Sequence, residues 1–446
     1  MTAVAGFDFY AGAGPARILL ILALTVIVFG VVWTAMLFAV AARRRRHDRE
    51  VEDERTPPSS LLWVFVVPAL NEEVTIADSV RRLFDLDVER RVVLVIDDGS
   101  EDRTPDILAE LARPGLVVLR RDLPEARKGK SEALNDAWRH IHSVVLQQGP
   151  YEGTVPQDVV MVIVDADGRL DAAAPAEIAR RFADPRVGGV QSQVTIYNRE
   201  GFLTWCQDVE FAVYGRLYQL ARSHWFIADM GGNGQFNRLS ALDEIADTDG
   251  PWRPALTEDQ DLGLRLYGAG WRSTHEWRSG VAQQGLNNYR RLSRQRTRWY
   301  QGNLQALRHL GRILRMKVSF VVRIDLLWYI TLPLQQLIVA MGLPVAVALW
   351  YFGDLPFWNG PVWLILLIYG LAFGTGTLGL LARSEPMRVR DLPKAFLMSL
   401  PYALYTWLII PSLFRALFRL IFRRGGWVKT PREPIAQAAT DDAGPH

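Results

Sequence analysis

Four short apolar stretches in the first part of the chain are separated by segments with helical periodicity. The stretches are rich in Val, Leu and Ile and occupy positions 63–67, 92–96, 116–119 and 159–164. They are too short to span a membrane, and such unbroken runs are typical of strands that are buried on both faces. Helical patterns lie between them, at about 73–84, after 104 and at about 131–146. Strands that alternate with helices predict an α/β fold with a mostly parallel sheet.

After residue 187 the pattern is less regular. A strand is predicted at 190–196, and a glycine-rich turn at 231–236 leads into a second, short strand. Helices are predicted at 202–220, 258–266 and 289–310, and the last of these is rich in arginine. We therefore expect the α/β region to continue to about residue 310.

Apolar stretches long enough to cross a bilayer flank the α/β region. They occupy 18–42, 326–352, 362–381 and 395–421, and a helical span needs roughly 20 residues. Four arginines follow the first stretch at 43–46, whereas Arg17 is the only basic residue before it. Because basic residues are enriched on the cytoplasmic side, this pattern predicts an outside N-terminus and a cytoplasmic α/β domain. A cleaved signal peptide would need a basic start and a shorter apolar core, so we interpret the first stretch as an anchor.

The number of spans near the C-terminus stays open. Arginines follow the third stretch, at 383–390, and the last stretch, at 423–424, so both flanks are predicted to be cytoplasmic. Four full spans would instead place the C-terminus outside. We therefore expect one segment of the tail to lie in the membrane interface or to re-enter, and Pro401 and Pro411 interrupt the last stretch.

These patterns predict a multi-pass protein of the cell membrane with five regions. The linker is inferred from its charged start and from Thr56-Pro57-Pro58-Ser59-Ser60. The regions are an N-terminal transmembrane anchor (1–46), the linker (47–60), a cytoplasmic catalytic domain (61–315), transmembrane or interface helices (316–424) and a cytoplasmic tail (425–446).

The composition excludes two other classes of protein. The 446 residues include 51 basic and 48 acidic side chains, which gives a net charge of +3. That near balance argues against a nucleic-acid-binding protein, which would need a dominant basic face. Cys206 is the only cysteine, so a disulfide framework and a cysteine-based zinc cluster are excluded. We expect Cys206 to be a buried, unreactive side chain.

Asp165 and Asp167 are separated by one residue at the end of the strand predicted at 159–164. Side chains two residues apart on an extended chain point to the same side, so both carboxylates can reach one hard cation, Mg²⁺ or Mn²⁺. The carboxyl ends of parallel strands are also where open α/β sheets bind ligands. An isolated Asp-x-Asp is more often a solvated turn after a strand, but the polar sites around this one favour a metal.

Four further polar sites follow predicted strands or open predicted helices. They are Pro68-Ala69-Leu70-Asn71-Glu72, Asp97-Asp98-Gly99-Ser100, Lys128-Gly129-Lys130 and Thr257-Glu258-Asp259. A carboxylate after the second strand can accept a hydrogen bond from a nucleobase or a ribose, and a lysine at a helix N-terminus suits a diphosphate. The carboxylate of the last site is not needed for the metal and is free to act as a general base.

Together with Gln295-Arg296-Thr297-Arg298-Trp299, these motifs have the order and spacing of the family-2 inverting glycosyltransferases. The chain resembles that group, which includes the cellulose and hyaluronan synthases, over about residues 61–310. The resemblance implies a nucleotide-diphospho-sugar transferase (GT-A) fold, a UDP-sugar donor, and Mg²⁺ or Mn²⁺ as cofactor. Inversion needs a single in-line displacement, in which a base takes the acceptor proton while cations stabilise the departing UDP.

The resemblance also implies roles for individual residues. Asp259 is the general base, and Asp165 and Asp167 bracket the metal, with Asp167 favoured as its direct ligand. The donor-binding residues are Pro68, Asn71, Glu72, Asp98, Lys130 and Asp165. The residues on the acceptor and pyrophosphate side are Gln295, Arg298, Trp299, Asn233, Gln235 and Glu258. Trp427-Val428-Lys429-Thr430 resembles the family's C-terminal gating segment.

The acceptor stays open between a lipid and a growing glycan. Gly232-Asn233-Gly234-Gln235-Phe236 is more similar to the membrane enzymes that glucosylate diacylglycerol than to the cellulose synthases. The few predicted spans also argue against a channel for a long polymer, although the Gln-x-x-Arg-Trp motif suits chain extension and a homo-oligomer could share a pore. We expect hexose transfer to a lipid or lipid-linked glycan, with a processive β-polysaccharide synthase as the alternative. A non-catalytic nucleotide-sugar-binding export subunit would have no need of Asp259.

Overall fold

The computed structural model describes residues 14–52, 60–352, 362–384 and 388–422. Within these residues the chain forms two compact units. We call them the helical unit (residues 14–48, 200–225 and 286–422) and the sheet unit (residues 49–199 and 226–285). The predicted cytoplasmic tail, including Trp427-Val428-Lys429-Thr430, lies outside the described residues.

The strands of the sheet unit form one mixed sheet. They are β1 (Leu62–Ala69), β2 (Arg91–Asp97), β3 (Leu116–Arg120), β4 (Val159–Ile163), β5 (Arg169–Leu170), β6 (Val187–Ile196), β7 (Gln235–Arg238) and β8 (Arg272–Gln283). Their order across the sheet is β3-β2-β1-β4-β7-β6-β8-β5. The pairs among β3, β2, β1 and β4 are parallel, as is β6 with β8, whereas β7 and β5 run antiparallel to their neighbours. The predicted α/β fold with a mostly parallel sheet is confirmed.

The helices belong to one unit or the other. Those of the sheet unit are α2 (Ile76–Phe84), α3 (Thr104–Glu110), α4 (Lys130–His140), α5 (Ala174–Arg181), α8 (Leu239–Ile245) and α9 (Glu258–Ala269). Those of the helical unit are α1 (Gly14–His47), α6 (Phe202–Val213), α7 (Leu220–His224), α10 (Tyr289–Gln305), α11 (Leu310–Arg315), α12 (Phe320–Ile330), α13 (Leu332–Phe352), α14 (Val362–Arg383) and α15 (Leu392–Ile421).

Strand β1 is buried on both faces, as its unbroken apolar sequence predicts. Trp63, Phe65 and Val67 lie in one core cluster, against α2 and α5. The alternate residues of β1 lie in a second cluster, against α4, α8 and α9. Successive side chains of a strand point to opposite faces, so a strand with helices on both sides needs an apolar residue at every position.

The strand order of the sheet reverses between β1 and β4, and such a reversal leaves a crevice at the carboxyl ends of the two strands. From β1 the chain adds β2 and β3 on one side and then returns to place β4 on the other, so the strand order reverses at this point. The ladder between β1 and β4 ends where Val164 N donates to Val66 O. Pro68, two residues later, has no N–H to donate. It lies beyond the last hydrogen bond between β1 and β4. The proline therefore sits inside a central strand without breaking a hydrogen bond.

Strand β8 was not expected from the sequence. Its Ser273, Thr274, His275 and Glu276 are all buried, so it has no apolar alternation to detect. The carboxylate of Glu276 forms an ion pair with Arg181, with 2.9 Å between Oε2 and Nη2, and both side chains are buried. Buried polar groups that find partners in this way are tolerated in a core.

Three helices of the helical unit are long and apolar enough to cross a membrane, within the part of the chain that is described. They are Gly14–Glu50, Leu332–Leu349 and Leu392–Ile421. α14 covers the stretch predicted at 362–381, but the side chains of residues 362–369 lie outside the described residues. The span predicted at 326–352 is divided between α12 and α13 at Thr331. This break places Pro333 in the first turn of α13, where its missing N–H is not needed.

The arginines after the first apolar stretch also take part in the packing of the helical unit. The helix continues through α1 and a π-helical turn to Glu52, beyond the residue where the linker was expected to begin. Arg44 is buried, pairs with Asp48 at 2.7 Å and donates to Ser223 O. Arg45 is also buried and donates to the backbone carbonyls of Arg216 and Ala382. Both guanidinium groups therefore satisfy backbone carbonyls of other helical segments.

Candidate functional site

The loops after β1 and β2 are joined by side-chain hydrogen bonds. Asn71 has a positive φ of 54°, a conformation that Asn adopts more readily than most residues. Its N–H donates to Ser100 Oγ at 2.9 Å, and its Oδ1 accepts from the backbone N–H of Glu101 at 2.8 Å. Glu72 is buried, and its carboxylate accepts from Thr75 Oγ1 at 2.9 Å. The candidate donor-binding residues of the two loops are therefore held as one group.

Asp98 is a buried carboxylate at the end of β2. It pairs with Arg121, which is also buried and contacts Asp136 at 2.6 Å, and it accepts from the backbone N–H of Arg127 at 3.0 Å. Burial raises the pKa of Asp98 above its ordinary value, and the hydrogen bond from Arg127 and the charge of Arg121 oppose that rise. The arrangement fixes the side chain in one orientation, as a donor-recognition role would require.

Lys130 connects the start of α4 with the end of β4. Its Nζ lies 2.7 Å from Asp165 Oδ1. Burial disfavours the charge on Lys130, but neighbouring carboxylates outweigh it and raise the pKa of the lysine above its usual value. These carboxylates are Asp165, Glu258 and Asp259. The ammonium group is therefore positively charged and lies at a helix N-terminus, where an anion is favoured.

Asp165 and Asp167 follow β4, as predicted. Asp167 is buried, and its Oδ2 accepts from the N–H of Gln284 at 3.1 Å, whereas Asp165 is partly exposed. No group of three or more His, Cys, Asp or Glu side chains is arranged to hold a metal within the described ranges. Mg²⁺ is usually held by one or two carboxylates together with substrate phosphates, so a pair of carboxylates at a strand end fits such an ion.

Asp259 lies in the first turn of α9. Its Oδ1 accepts from the N–H of Gln260 at 2.8 Å. Burial raises the pKa of Asp259 to about 6, with a further contribution from the charge of Asp229, while Gln260 and Lys130 act in the opposite direction. A carboxylate with this pKa is mostly ionised at neutral pH and is still basic enough to take a proton.

Gly232 lies against the charged groups of Lys130 and Asp259. The sequence did not reveal this placement. A Cβ atom at this position would be 3.0 Å from Asp259 Oδ2 and 3.6 Å from Lys130 Nζ, and the φ of Gly232 is +79°. A glycine is therefore required here by the backbone conformation as well as by space. The position brings the glycine-rich loop into contact with the candidate base.

Gln191 holds the glycine-rich loop in place and was also missed. It is buried on β6; its Nε2 donates to Asn233 O at 2.8 Å and its Oε1 accepts from Gly231 N at 2.8 Å. Asn233 in turn accepts from Asp165 N at 3.1 Å and donates to Gln283 at 2.9 Å. A lone glutamine on a strand gives no sequence signal of this role, because only its partners distinguish it.

Gln235 is placed differently from Asn233. Its side chain is fully buried within the sheet, and its Nε2 donates to Asn237 Oδ1 at 2.9 Å. A side chain in this position stabilises β7. We therefore leave Gln235 out of the acceptor side proposed below.

Gln295, Arg298 and Trp299 lie on α10, in the helical unit. Trp299 stacks under the guanidinium of Arg296, whose Cζ is 4.1 Å from the ring centroid. Arg298 Nε is buried and makes no hydrogen bond within the described part of the chain. A buried guanidinium N–H of this kind is suited to an anion or a hydroxyl.

Two family models match the chain. The model described as glycosyl transferase family 2 matches residues 64–245. The model described as glycosyl transferase family group 2 matches residues 160–377. Together they span residues 64–377, which include most of the sheet unit and part of the helical unit.

Several curated relatives share extended similarity with the chain. A beta-monoglucosyldiacylglycerol synthase from Synechocystis sp. is 30% identical over 396 residues, which cover 85% of this chain and 75% of that protein. The enzyme of the same name from Trichormus variabilis is 33% identical over 276 residues, which cover 60% of this chain and 53% of that protein. A poly-beta-1,6-N-acetyl-D-glucosamine synthase from Staphylococcus aureus is 27% identical over 247 residues, which cover 54% of this chain and 55% of that protein. In the last two matches the chain spans about half the length of the relative.

A solved structure shares the fold. The mannosyltransferase from Pyrobaculum calidifontis, in complex with GDP-Man and Mn²⁺, superposes with a TM-score of 0.61 at 19% identity, covering 91% of this chain and 100% of that chain. At this identity the match shows a common architecture and carries no statement about substrate. With the ordered motifs, the family models and a relative that is 30% identical over most of its length, the chain belongs to glycosyl transferase family 2.

Proposed function

We propose that the protein is a membrane-embedded inverting glycosyltransferase that moves a hexose from a UDP-sugar to a hydroxyl group close to the membrane, with formation of a β-glycosidic bond. The observation that carries the proposal is the convergence on Lys130 of Asp165, which follows the central strand β4, and Asp259, which opens α9. A cation, a candidate metal ligand and a candidate base are the groups that a single displacement at an anomeric carbon needs.

The donor is proposed to lie in the crevice at the carboxyl ends of β1, β2 and β4. Asn71, Glu72 and Asp98 contact the uridine, and Pro68 forms the wall of the crevice beside them. Support comes from their common location at the reversal of strand order, where α/β sheets bind nucleotides. Lys130 faces the diphosphate, because an ammonium group at a helix N-terminus complements its charge.

Asp165 and Asp167 would hold a divalent cation, Mg²⁺ or Mn²⁺, against the diphosphate. When bound, such an ion neutralises negative charge that develops on the leaving group. Asp167 is oriented for this role by the N–H of Gln284. Support for the choice of ion comes from the donor set, which consists of carboxylate oxygens.

Asp259 is proposed to take the proton from the acceptor hydroxyl. As the oxygen attacks the anomeric carbon, the bond from that carbon to the UDP oxygen breaks, and the electron pair leaves with UDP. One displacement inverts the configuration, so an α-linked donor gives a β-linked product. Retaining hydrolysis would need a second carboxylate as nucleophile, and the proposed mechanism assigns no such role.

The proposed acceptor is a lipid or a lipid-linked glycan. The relatives from Synechocystis sp. and Trichormus variabilis are named for a diacylglycerol product, and membrane-length helices precede and follow the sheet unit along the chain. Gln295 and Trp299 are proposed to contact the acceptor, and Arg298, whose buried Nε suits an anion, is proposed to contact the pyrophosphate. Asn233 and Glu258 are also proposed for the acceptor and pyrophosphate side. In this arrangement the sheet unit faces the cytoplasm, in keeping with the arginines that follow the first span.

A processive polysaccharide synthase is the second candidate. The relative from Staphylococcus aureus is named for a β-linked polymer, and it matches over 54% of this chain. Both candidates use the same donor site and base. They differ in whether the product is released after one or a few transfers.

The product distinguishes the two candidates. The full chain, reconstituted in bilayers that contain diacylglycerol, is incubated with a panel of labelled UDP-sugars, and the products are separated by solvent extraction. We expect the label in the organic phase as a β-glycosyl lipid. Label in a water-insoluble or high-mass glycan that β-glycanases digest would instead establish the polymer synthase.

The role of Asp259 predicts a pH profile. Because the base is active only when ionised, kcat/KM should fall as the pH decreases through about 6, the pKa of Asp259. Asp259→Asn should lower turnover by about 10²–10⁴-fold, the usual effect of losing a positioned base. UDP affinity, measured by calorimetry, should change little. A collapse of UDP affinity in this variant would show that Asp259 belongs to the donor site.

The metal assignment predicts an effect on nucleotide binding as well as on activity. Asp167→Asn should abolish the dependence of UDP affinity on Mn²⁺ and remove transfer, because the substituted amide is a weaker ligand without charge. Asp158→Asn, at the other end of β4, is the matched control and should preserve both. Full turnover of the unaltered protein in excess chelator would contradict the assignment.

The surroundings of Gly232 predict that alanine at this position lowers turnover far more than alanine at Gly231. Gly232→Ala should lower turnover at least about tenfold, because the new methyl group displaces Asp259 or Lys130 and the positive φ is strained. In Gly231→Ala the new Cβ would make ordinary contacts of 3.6 Å with Gln191 and needs no positive φ. That variant should retain most of the turnover, and equal losses in the two would contradict the geometric argument.

A further inference from the structure

A buried charge network in the helical unit joins three helices. Arg296 on α10 pairs through Nη2 with Glu210 on α6, and the same Nη2 donates to Tyr405 Oη on α15 at 3.1 Å. The Tyr405 hydroxyl donates onward to Glu210 Oε2 at 2.8 Å. Glu210 therefore accepts from both of the other side chains, and the three groups form a closed triangle of hydrogen bonds.

The members of this network differ in exposure. Arg296 and Tyr405 are almost completely buried, whereas the side chain of Glu210 is 28% exposed. A guanidinium that is buried so deeply needs a negative partner, because an unpaired charge in the interior is strongly disfavoured. Glu210 supplies that partner, and the pair determines where the Arg296 side chain lies.

Arg296 in turn contacts two residues of the Gln-x-x-Arg-Trp motif. Its Nη1 donates to Gln295 Oε1 at 3.1 Å, and its Cζ lies 4.1 Å from the centroid of the Trp299 ring. The ring of Trp299 also makes an edge-to-face contact with Phe211, which follows Glu210 on α6, at a centroid distance of 6.2 Å and an interplanar angle of 76°. The indole therefore contacts both the guanidinium of Arg296 and an aromatic side chain of α6.

We propose that Glu210 is a positioning residue for the acceptor: through Arg296 it sets the orientation of Gln295 and Trp299. This inference rests on the proposed function, in which those two residues contact the acceptor. Glu210 itself does not touch the reacting atoms. Tyr405 belongs to α15, one of the helices long and apolar enough to cross a membrane, so the network ties the acceptor-binding helix to a candidate membrane span.

The test separates acceptor binding from donor chemistry. The full chain is reconstituted in lipid nanodiscs, with UDP-glucose as donor and diacylglycerol as acceptor. Three quantities are measured: the KM for diacylglycerol, the KM for UDP-glucose, and the slow hydrolysis of UDP-glucose when no acceptor is present. Glu210→Gln keeps the hydrogen-bonding shape and removes the charge. We expect it to raise the acceptor KM about tenfold, the effect of losing a charge-assisted hydrogen bond, and to leave both donor quantities unchanged.

Two further variants are compared with Glu210→Gln by the same three measurements. Tyr405→Phe keeps the Arg296–Glu210 pair and should raise the acceptor KM by a smaller factor, and it serves as the test if Glu210→Gln does not fold. Asp208→Asn breaks another ion pair of α6, to Arg383 on α14. This control should not change the acceptor KM. An unchanged acceptor KM in Glu210→Gln, or equal changes in the acceptor and donor quantities, would overturn the proposal.

A double-mutant cycle with Trp299→Leu shows whether Glu210 acts through the indole. If it does, Glu210→Gln should have little further effect on the acceptor KM once Trp299 is replaced, because the two substitutions remove the same contact. Additive effects would overturn the proposal while leaving the acceptor role of Trp299 intact. An unchanged acceptor KM in Trp299→Leu alone would instead contradict the acceptor side of the proposed function.

Discussion

Lys130 lies 2.7 Å from Asp165, and Glu258 and Asp259 also act on its charge. One ammonium group thus balances carboxylates from β4 and α9, which would repel one another without it. The arrangement also explains why Asp259 can combine a raised pKa with a charged state at neutral pH: burial favours the proton, while the lysine favours the ionised form. The charge balance at Lys130 is therefore the constraint on which the candidate chemistry depends.

Polar side chains with well-defined partners hold the loops around Lys130 and its neighbouring carboxylates. Gln191 fixes the glycine-rich loop, Asn233 connects it to Asp165, and Arg121 fixes Asp98. Each of these bonds lies in a buried or partly buried place, where a lost partner would leave an unsatisfied group. The loops at the crevice are thus pre-organised by the interior of the sheet unit, which reduces the reorganisation needed when a substrate binds.

The helical unit uses buried charges in a similar way. Asp325 is fully buried and accepts from Trp33 Nε1 at 3.0 Å and from Arg222 Nε at 2.7 Å, so it joins α1, α7 and α12. Apolar packing between long helices is weakly directional, because many rotations bury similar area. A buried ion pair accepts one arrangement only, and in a coiled coil such polar groups determine register. The network of Glu210, Arg296 and Tyr405 follows the same principle beside the Gln-x-x-Arg-Trp motif.

The sequence by itself determined the strands with unbroken apolar runs, the membrane-length helices and the acidic and basic motifs at the strand ends, because each of these has a local signature of hydrophobicity or charge. Only the tertiary structure decided the rest. It revealed β8, whose buried polar residues have no apolar period, and the break at Thr331 within one apolar stretch. It also revealed the burial of Arg44 and Arg45, for which the sequence predicts only a position after a membrane-length stretch. It also separated Asn233, which contacts Asp165, from Gln235, which is enclosed in the sheet. The physical reason is the same in each case: a polar side chain acquires its role from a partner that is distant in the chain, and that partner is brought near only when the chain folds.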